Sequence, residues 1–169
     1  MRPPNRVHIV GASGSGTTSL AVAIAARFGH RHLDTDDFFW MRTGPPFREK
    51  RPHEERLALL IPQFELVVFL VVPTPVRLAR LRARAVTRYG PHAIAPGGRL
   101  HAAHVEFLEW AGRYDAGDLE MRSHALHEAW LAALPCPVVR LDGDRSIDEQ
   151  LAALASRLAR LTTSRARTS

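Results

Sequence analysis

The spacing of apolar side chains changes character several times along the chain, and each change marks an element. Val7, Ile9 and Val10 make a short β-branched run, a Gly/Ser cluster follows, and Leu20, Ala21, Ile24, Ala25 and Phe28 recur at helical spacing. The pattern predicts strand, glycine turn and helix over the first 28 residues, with Gly29 where a helix stop belongs. A short second strand is expected over Arg31 to Leu33, delivering Asp34, Asp36 and Asp37 at its carboxyl end before the aromatic run Phe38, Phe39 and Trp40. Gly44, Pro45 and Pro46 mark a loop, and Pro52 opens a short helix that Glu54 to Leu60 continues. Leu66 to Val72 is continuously apolar, the pattern of a central parallel strand covered on both faces. Thr74 as cap and Pro75 at the first helical position start a helix with Leu78, Leu81 and Ala85 on one stripe and Arg77, Arg80, Arg84 and Arg88 on another. A Gly/Pro loop over Tyr89 to Gly98 leads to amphipathic helices over His101 to Gly112 and Asp118 to Leu134. Pro137 to Leu141 reads as a last buried strand, and the capping box of Ser146 and Glu149 starts a terminal helix ending near Leu161.

Strands alternating with helices imply parallel pairing through right-handed crossovers, hence a three-layer α/β domain over residues 1–161 with a mainly parallel sheet of about four strands. Residues 162–169 read as a polar, basic, frayed tail. The chain has 169 residues, 46% apolar and 24% charged, which excludes a fibre, a disulfide miniprotein and a wholly disordered chain. Its 23 basic and 17 acidic side chains leave a net charge of +6, and Lys50 is the sole lysine, so the basic character rests on arginine. Arginine suits forked contacts to phosphate or carboxylate. Cys136 has no cysteine to pair with, the longest apolar run is too short to span a bilayer, and no signal-peptide pattern opens the chain. The expectation is a cytoplasmic protein without a membrane segment.

The chemistry concentrates in Gly11-Ala12-Ser13-Gly14-Ser15-Gly16-Thr17-Thr18, which lies between the first expected strand and the first expected helix. Small residues let successive backbone N–H groups turn inward around an anion, and the helix start adds unpaired donors and the positive end of its dipole. The expected guests are the phosphates of a nucleotide, ATP, with Mg2+ on the Thr18 hydroxyl. Against the pattern G-x-x-x-x-G-K-[ST], position 17 carries threonine where lysine should reach the terminal phosphates. Another cation must then supply that charge, and Lys50 and the arginines of the helix leading into the Gly/Pro loop are the candidates.

These residues resemble the nucleotide and shikimate kinase group of P-loop proteins, and more closely a bacterial set of adenylate-kinase-like proteins labelled as ATPases. The resemblance rests on GASGSGTTSL with its strand, LDTDDFFW, PPFREKRPHEERLALL, FELVVFLVVPTPVRLARLRAR and CPVVRLDGD with its closing helix, which together cover most of the chain. It implies a P-loop NTPase fold of the αβα kind with a short lid over about 85–100. It also implies lid-side roles for Arg80, Arg84 and Arg88, and a position near the base for Asp142 to Asp144. The related set likewise carries threonine at the lysine position. Only five residues separate Leu60 from the strand at Leu66, whereas this group places a crossover and a further strand there. A crossover with its helix takes at least about ten residues, so the sheet is expected to be one strand short, with part of the acceptor wall missing.

Other constellations are weighed against plainer alternatives. Asp34, Asp36 and Asp37 stand where open α/β sheets hold ligands, so Asp36 is a candidate to hold magnesium through water or to act as base toward an acceptor, and Asp34 and Asp37 to bind that acceptor. The plainer alternative is a turn cluster. Arg84 and Arg88 are candidate phosphate contacts and Arg48 and Lys50 a candidate grip on an anionic acceptor, each against the alternative of a solvated side chain, whereas Arg77 and Arg82 are expected to form a solvated face. His101 with His104 and His124 with His127 have helical metal-ligand spacing, but no cysteine or carboxylate pair completes a site. Trp40, Trp110 and Trp130 are expected as packing anchors, and Cys136 as a small apolar filler. The leading expectation is a kinase transferring the terminal phosphoryl group of ATP to a small-molecule acceptor. A nucleotide-binding module with little chemistry comes second, and a nucleic-acid binder or polynucleotide kinase ranks last. An exposed sheet edge beside the glycine-loop strand would invite pairing with a second copy of the chain.

Overall fold

The structure, a computed structural model, describes residues 4–33, 41, 49–52, 54–55 and 61–166, with side chains through residue 161. The β-branched run forms β1 (Val7–Gly11), the continuous apolar run forms β2 (Leu66–Val71), and the last apolar stretch forms β3 (Val138–Asp142). All pairing is parallel, in the order β1-β2-β3. As the middle strand, β2 buries every side chain from Leu66 to Leu70, which is why its sequence shows no polar alternation. Gly11 stands opposite Leu70 and Leu70 opposite Leu141, so the three carboxyl ends are level.

Among the described residues the sheet is accompanied by the helices α1 (Thr17–Phe28), α2 (Thr74–Tyr89), α3 (Pro91–Ile94), α4 (His101–Gly112), α5 (His124–Ala132) and α6 (Ile147–Ala166). On one face, Leu66, Val68, Leu70, Val139 and Leu141 pack against Leu20 and Ile24 of α1 and Leu154 and Leu158 of α6. On the other, Val67 and Phe69 pack against Leu131 of α5, with Phe64, Trp130 and Leu134 half-buried around them. Each fully buried leucine contributes about 1.5–3 kcal/mol of hydrophobic free energy, so these two clusters hold the layers together.

Local signals set the helix ends. Gly29 ends α1 in the left-handed region at φ 71°, its N–H donating to the Ala25 carbonyl. Ser146 and Glu149 form the expected capping box: the Ser146 N–H donates to Glu149 Oε2 at 2.9 Å and the Glu149 N–H to Ser146 Oγ at 3.3 Å. The helix they open runs past Leu161 to Ala166.

Several expectations are corrected. Among the described residues the sheet has three strands rather than four, because Arg31 to Leu33 forms no strand. All three of its side chains are exposed, and one apolar residue gives no face to bury. Helix α5 begins at His124 and not at Asp118, because Ser123 is its N-cap and its hydroxyl accepts from the Leu126 N–H at 3.0 Å. Pro73, not Thr74, occupies the cap position of α2. Arg77, expected on a solvated face, is 0% exposed. No helix among the described residues is long and apolar enough to cross a membrane.

Candidate functional site

The segment joining β1 to α1 closes on itself, with the Ser15 N–H donating to the Ala12 carbonyl at 3.1 Å. Gly14 and Gly16 hold φ of 84° and 92°, which L side chains rarely adopt. A Cβ on Gly11 would stand 2.5 Å from Ser15 Oγ and 2.9 Å from the Leu70 carbonyl, so the loop packs tightly on β2. Helix α1 starts with no side-chain cap, so its first N–H groups face the loop without a side-chain acceptor. Ser15 is 1% exposed and its hydroxyl has no partner, a polar atom buried inside the turn. Thr17 is half-buried and Thr18 exposed.

Three other segments converge on this loop. Helix α2 presses on Gly14, whose Cβ would lie 2.8 Å from the Arg77 carbonyl and 3.1 Å from Leu81 Cγ. The turn after β3 presses on Ser15, since a Cβ on Gly143 would lie 3.1 Å from the Ser15 carbonyl. Arg80 joins these two walls, donating to the Gly143 carbonyl at 2.9 Å and to Asp144 Oδ1 at 3.4 Å. The third segment carries Arg122, whose Nη2 donates to the Gly11 carbonyl at 2.8 Å.

Behind the loop lies a network of partly buried polar groups. Arg77 donates to the Val72 carbonyl at 3.0 Å, the Ala111 carbonyl at 3.2 Å and Thr74 Oγ1 at 2.6 Å, and it pairs with Asp115 at 3.3 Å. Its guanidinium lies 4.9 Å from the centre of the Tyr114 ring. The Tyr114 hydroxyl is 2.5 Å from His127 Nδ1. Burial raises the phenol to about 12 and, with the Arg122 charge adding to it, lowers His127 to about 4. Both groups are therefore neutral near pH 7.

The residues singled out in the sequence fare unevenly. Gly11 to Thr18 stand together as expected. Asp34, Asp36, Asp37 and Arg48 lie outside the described residues, as do most of the expected helix over Glu54 to Leu60 and Trp40. Lys50 is exposed, next to Glu49, whose carbonyl accepts from the Met41 N–H at 2.8 Å. Arg84 and Arg88 are exposed on α2, and Arg84 stands one turn beyond Arg80. Arg88 lies 5.4 Å from the Tyr89 ring centre. The stretch expected as a lid, about 85–100, holds the end of α2, the short helix α3 and a turn in which the Leu100 N–H donates to the Ala93 carbonyl at 2.8 Å and His101 Nδ1 meets the Ile94 carbonyl at 3.0 Å. His124 and His127 pack against Phe69, each with ring centres 5.8 Å away. Among the described residues no group of three or more His, Cys, Asp or Glu is placed to hold a metal ion. Trp130 packs beside the Phe69 cluster with Cys136, and Trp110 stacks on Phe107.

Arg122 is the site residue that sequence reasoning missed. Extending α5 back to Asp118 hid it inside a helix; the signal was Ser123 as an N-cap, which puts the preceding residue on the entry loop. A cavity of about 260 Å³ also opens beside β1 and the first turns of α1, lined in part by Arg6, His8, Thr17, Thr18, Ala21 and His30.

No protein-family model matches the chain. A protein of Bacillus subtilis (strain 168) described as uncharacterized protein YqaC is 40% identical over 168 residues, covering 86% of this chain and 92% of that protein.

Proposed function

The chain belongs to the same family as YqaC of Bacillus subtilis, and for it we propose an ATP-binding P-loop phosphotransferase that carries the terminal phosphoryl group to a small acceptor. The single observation that carries the reading is the turn from Gly11 to Thr18: small residues folded tightly on β2, a buried unpartnered Ser15 hydroxyl, and an uncapped helix start at the carboxyl end of a parallel strand. That donor set fits a chain of phosphates.

In this reading the fold is the αβα type of P-loop NTPase, and the loop N–H groups hold the phosphates. Thr18 would hold Mg2+, which when bound offsets charge on the phosphoryl oxygens. The acceptor enters the cavity beside β1, where Thr17 and Thr18 form a wall shared with the loop. Its oxygen attacks the γ-phosphorus in line, the bond to the bridging oxygen of ADP breaks, and the acceptor proton passes to Asp36. Asp34, Asp37, Arg48 and Lys50 are assigned to acceptor binding, and Arg84 and Arg88 to the outer phosphate charge.

The test is calorimetric titration with Mg-ATP, with ADP formation followed in the same samples for the unaltered protein and Thr17→Glu. A carboxylate in the first turn of α1 suits the helix dipole and leaves the fold intact, but it repels the phosphates. Binding that is lost in Thr17→Glu, with ADP formed by the unaltered protein, is the expected result. Equal binding by both proteins, or none by either, ends the reading. Threonine at position 17 favours the second reading, a binding module without turnover, whose signature is binding with no ADP at any acceptor. A nucleic-acid binder is less well supported, because Arg6, Arg80, Arg140 and Arg145 are each paired with a carboxylate.

A further inference from the structure

A loop that lacks its lysine needs a cation from elsewhere, and the described arginines can be sorted by what they already hold. Arg77 is buried and fully engaged behind the loop. Arg80 is bound to the Gly143 carbonyl and Asp144. Arg122 differs from both: it reaches the first residue of the glycine loop, and among the described residues no carboxylate pairs with it. Its side chain is exposed, and the surrounding protein partly desolvates its charge, lowering its pKa. One of its five N–H donors goes to the Gly11 carbonyl, which leaves the rest of the fork for an anion in the loop.

Its position is held from behind. Ser123, the next residue, is 0% exposed; its hydroxyl caps α5 and donates to the Asp118 carbonyl. The His124 N–H donates to the Tyr114 carbonyl at 2.9 Å, and the Asp118 side chain accepts from the Glu120 N–H at 3.0 Å. The loop over residues 113–123 is therefore tied at both ends, and little ordering remains for a ligand to impose.

We propose that Arg122 takes the place of the lysine absent at position 17, contacting the outer phosphates of the bound nucleotide from the loop side while Arg84 and Arg88 stand on α2. The proposal rests on the phosphate-binding reading of the glycine loop and assigns its missing charge to a residue 111 positions away from Gly11.

The experiment compares Mg-ATP, Mg-bound inorganic triphosphate and AMP binding in the unaltered protein, Arg122→Gln, and Arg122→Gln combined with Thr17→Lys. Glutamine removes the charge and, being two bonds shorter, also the reach of Nη2 to the Gly11 carbonyl, so a melting curve of each variant separates a lost support of the loop from a lost cation. The expected result is an affinity loss of about 10- to 100-fold for ATP and triphosphate in Arg122→Gln, with a much smaller loss for AMP. Most of that affinity returns when Thr17→Lys puts a cation back at the loop. Unchanged ATP binding in Arg122→Gln overturns the assignment of Arg122 while leaving the loop reading intact. Equal losses for AMP and ATP, or loss without rescue by Thr17→Lys, make Arg122 a structural support and also overturn it. Failure of the unaltered protein to bind either ATP or triphosphate removes the loop reading and this assignment together.

Discussion

At the scale of single residues, Arg77 shows how burial changes what a charge does. Its position on the α2 arginine stripe matches that of the exposed Arg84 and Arg88, yet its guanidinium satisfies the Val72 and Ala111 carbonyls and lies over the Tyr114 ring. Replacing it by leucine keeps the bulk but strips two buried carbonyls of their donor, and each such loss costs about 1–3 kcal/mol. Arg77→Leu should therefore lower unfolding stability by about 2–5 kcal/mol in a urea titration. Asp115→Asn should cost less than about 1 kcal/mol, because that carboxylate is 51% exposed and its ion pair is screened by water. Equal costs for the two variants would mean that the ion pair, and not the carbonyl contacts, holds the start of α2. Arg77 also explains why an arginine stripe misleads: periodicity reports which residues share a face, while whether that face meets water or α4 depends on a helix thirty residues further on.

Among the elements, β1 carries an unusual side chain inward. His8 stacks on Phe64 with ring centres 4.5 Å apart and 9° between planes, meets Trp130 edge-on at 6.0 Å, and is driven by burial from the usual 6.5 to about 4. His127, across the same cluster, moves the same way. A depressed histidine pKa means that the unfolded chain binds protons in a window where the native chain does not. Stability is then complete above about pH 6.5 and falls as the pH drops toward about 4. The slope from His8 approaches ~1.4 kcal/mol per pH unit inside that window, with a smaller share from half-buried His127. His8→Phe keeps the stack and removes the proton, so its stability curve between pH 4 and 6.5 should be flatter. An unchanged slope would place the acid sensitivity elsewhere. The elements themselves were largely legible because their signals are local: the β-branched run of β1, the continuous apolar run of β2, Gly29 and the Ser146–Glu149 box. The start of α5 was missed because Asp118 and Ser123 both have the chemistry of a cap, and the choice between them falls to the Ser123 hydroxyl, which accepts from the Leu126 N–H.

On the scale of the whole molecule, the candidate site is assembled from four distant segments. The glycine loop ends β1, α2 presses on Gly14, the turn after β3 presses on Ser15, and Arg122 reaches back to Gly11. The loop could be read in the sequence because its donors lie within eight consecutive residues, whereas its walls and its cation come together only when the sheet has formed. Such a site does not exist in the unfolded chain, so a ligand bound there stabilises the entire domain by mass action. ATP at about a hundred times its dissociation constant should add ~2.7 kcal/mol, which for a domain of this size raises the melting temperature by about 5–10 °C. The shift should grow with the logarithm of ATP concentration, vanish in Thr17→Glu and shrink in Arg122→Gln. Adenosine, which lacks phosphates, should give almost none of it. A shift of equal size with adenosine would locate the binding energy in a base pocket instead of the glycine loop, and would overturn the phosphate-binding reading of that loop.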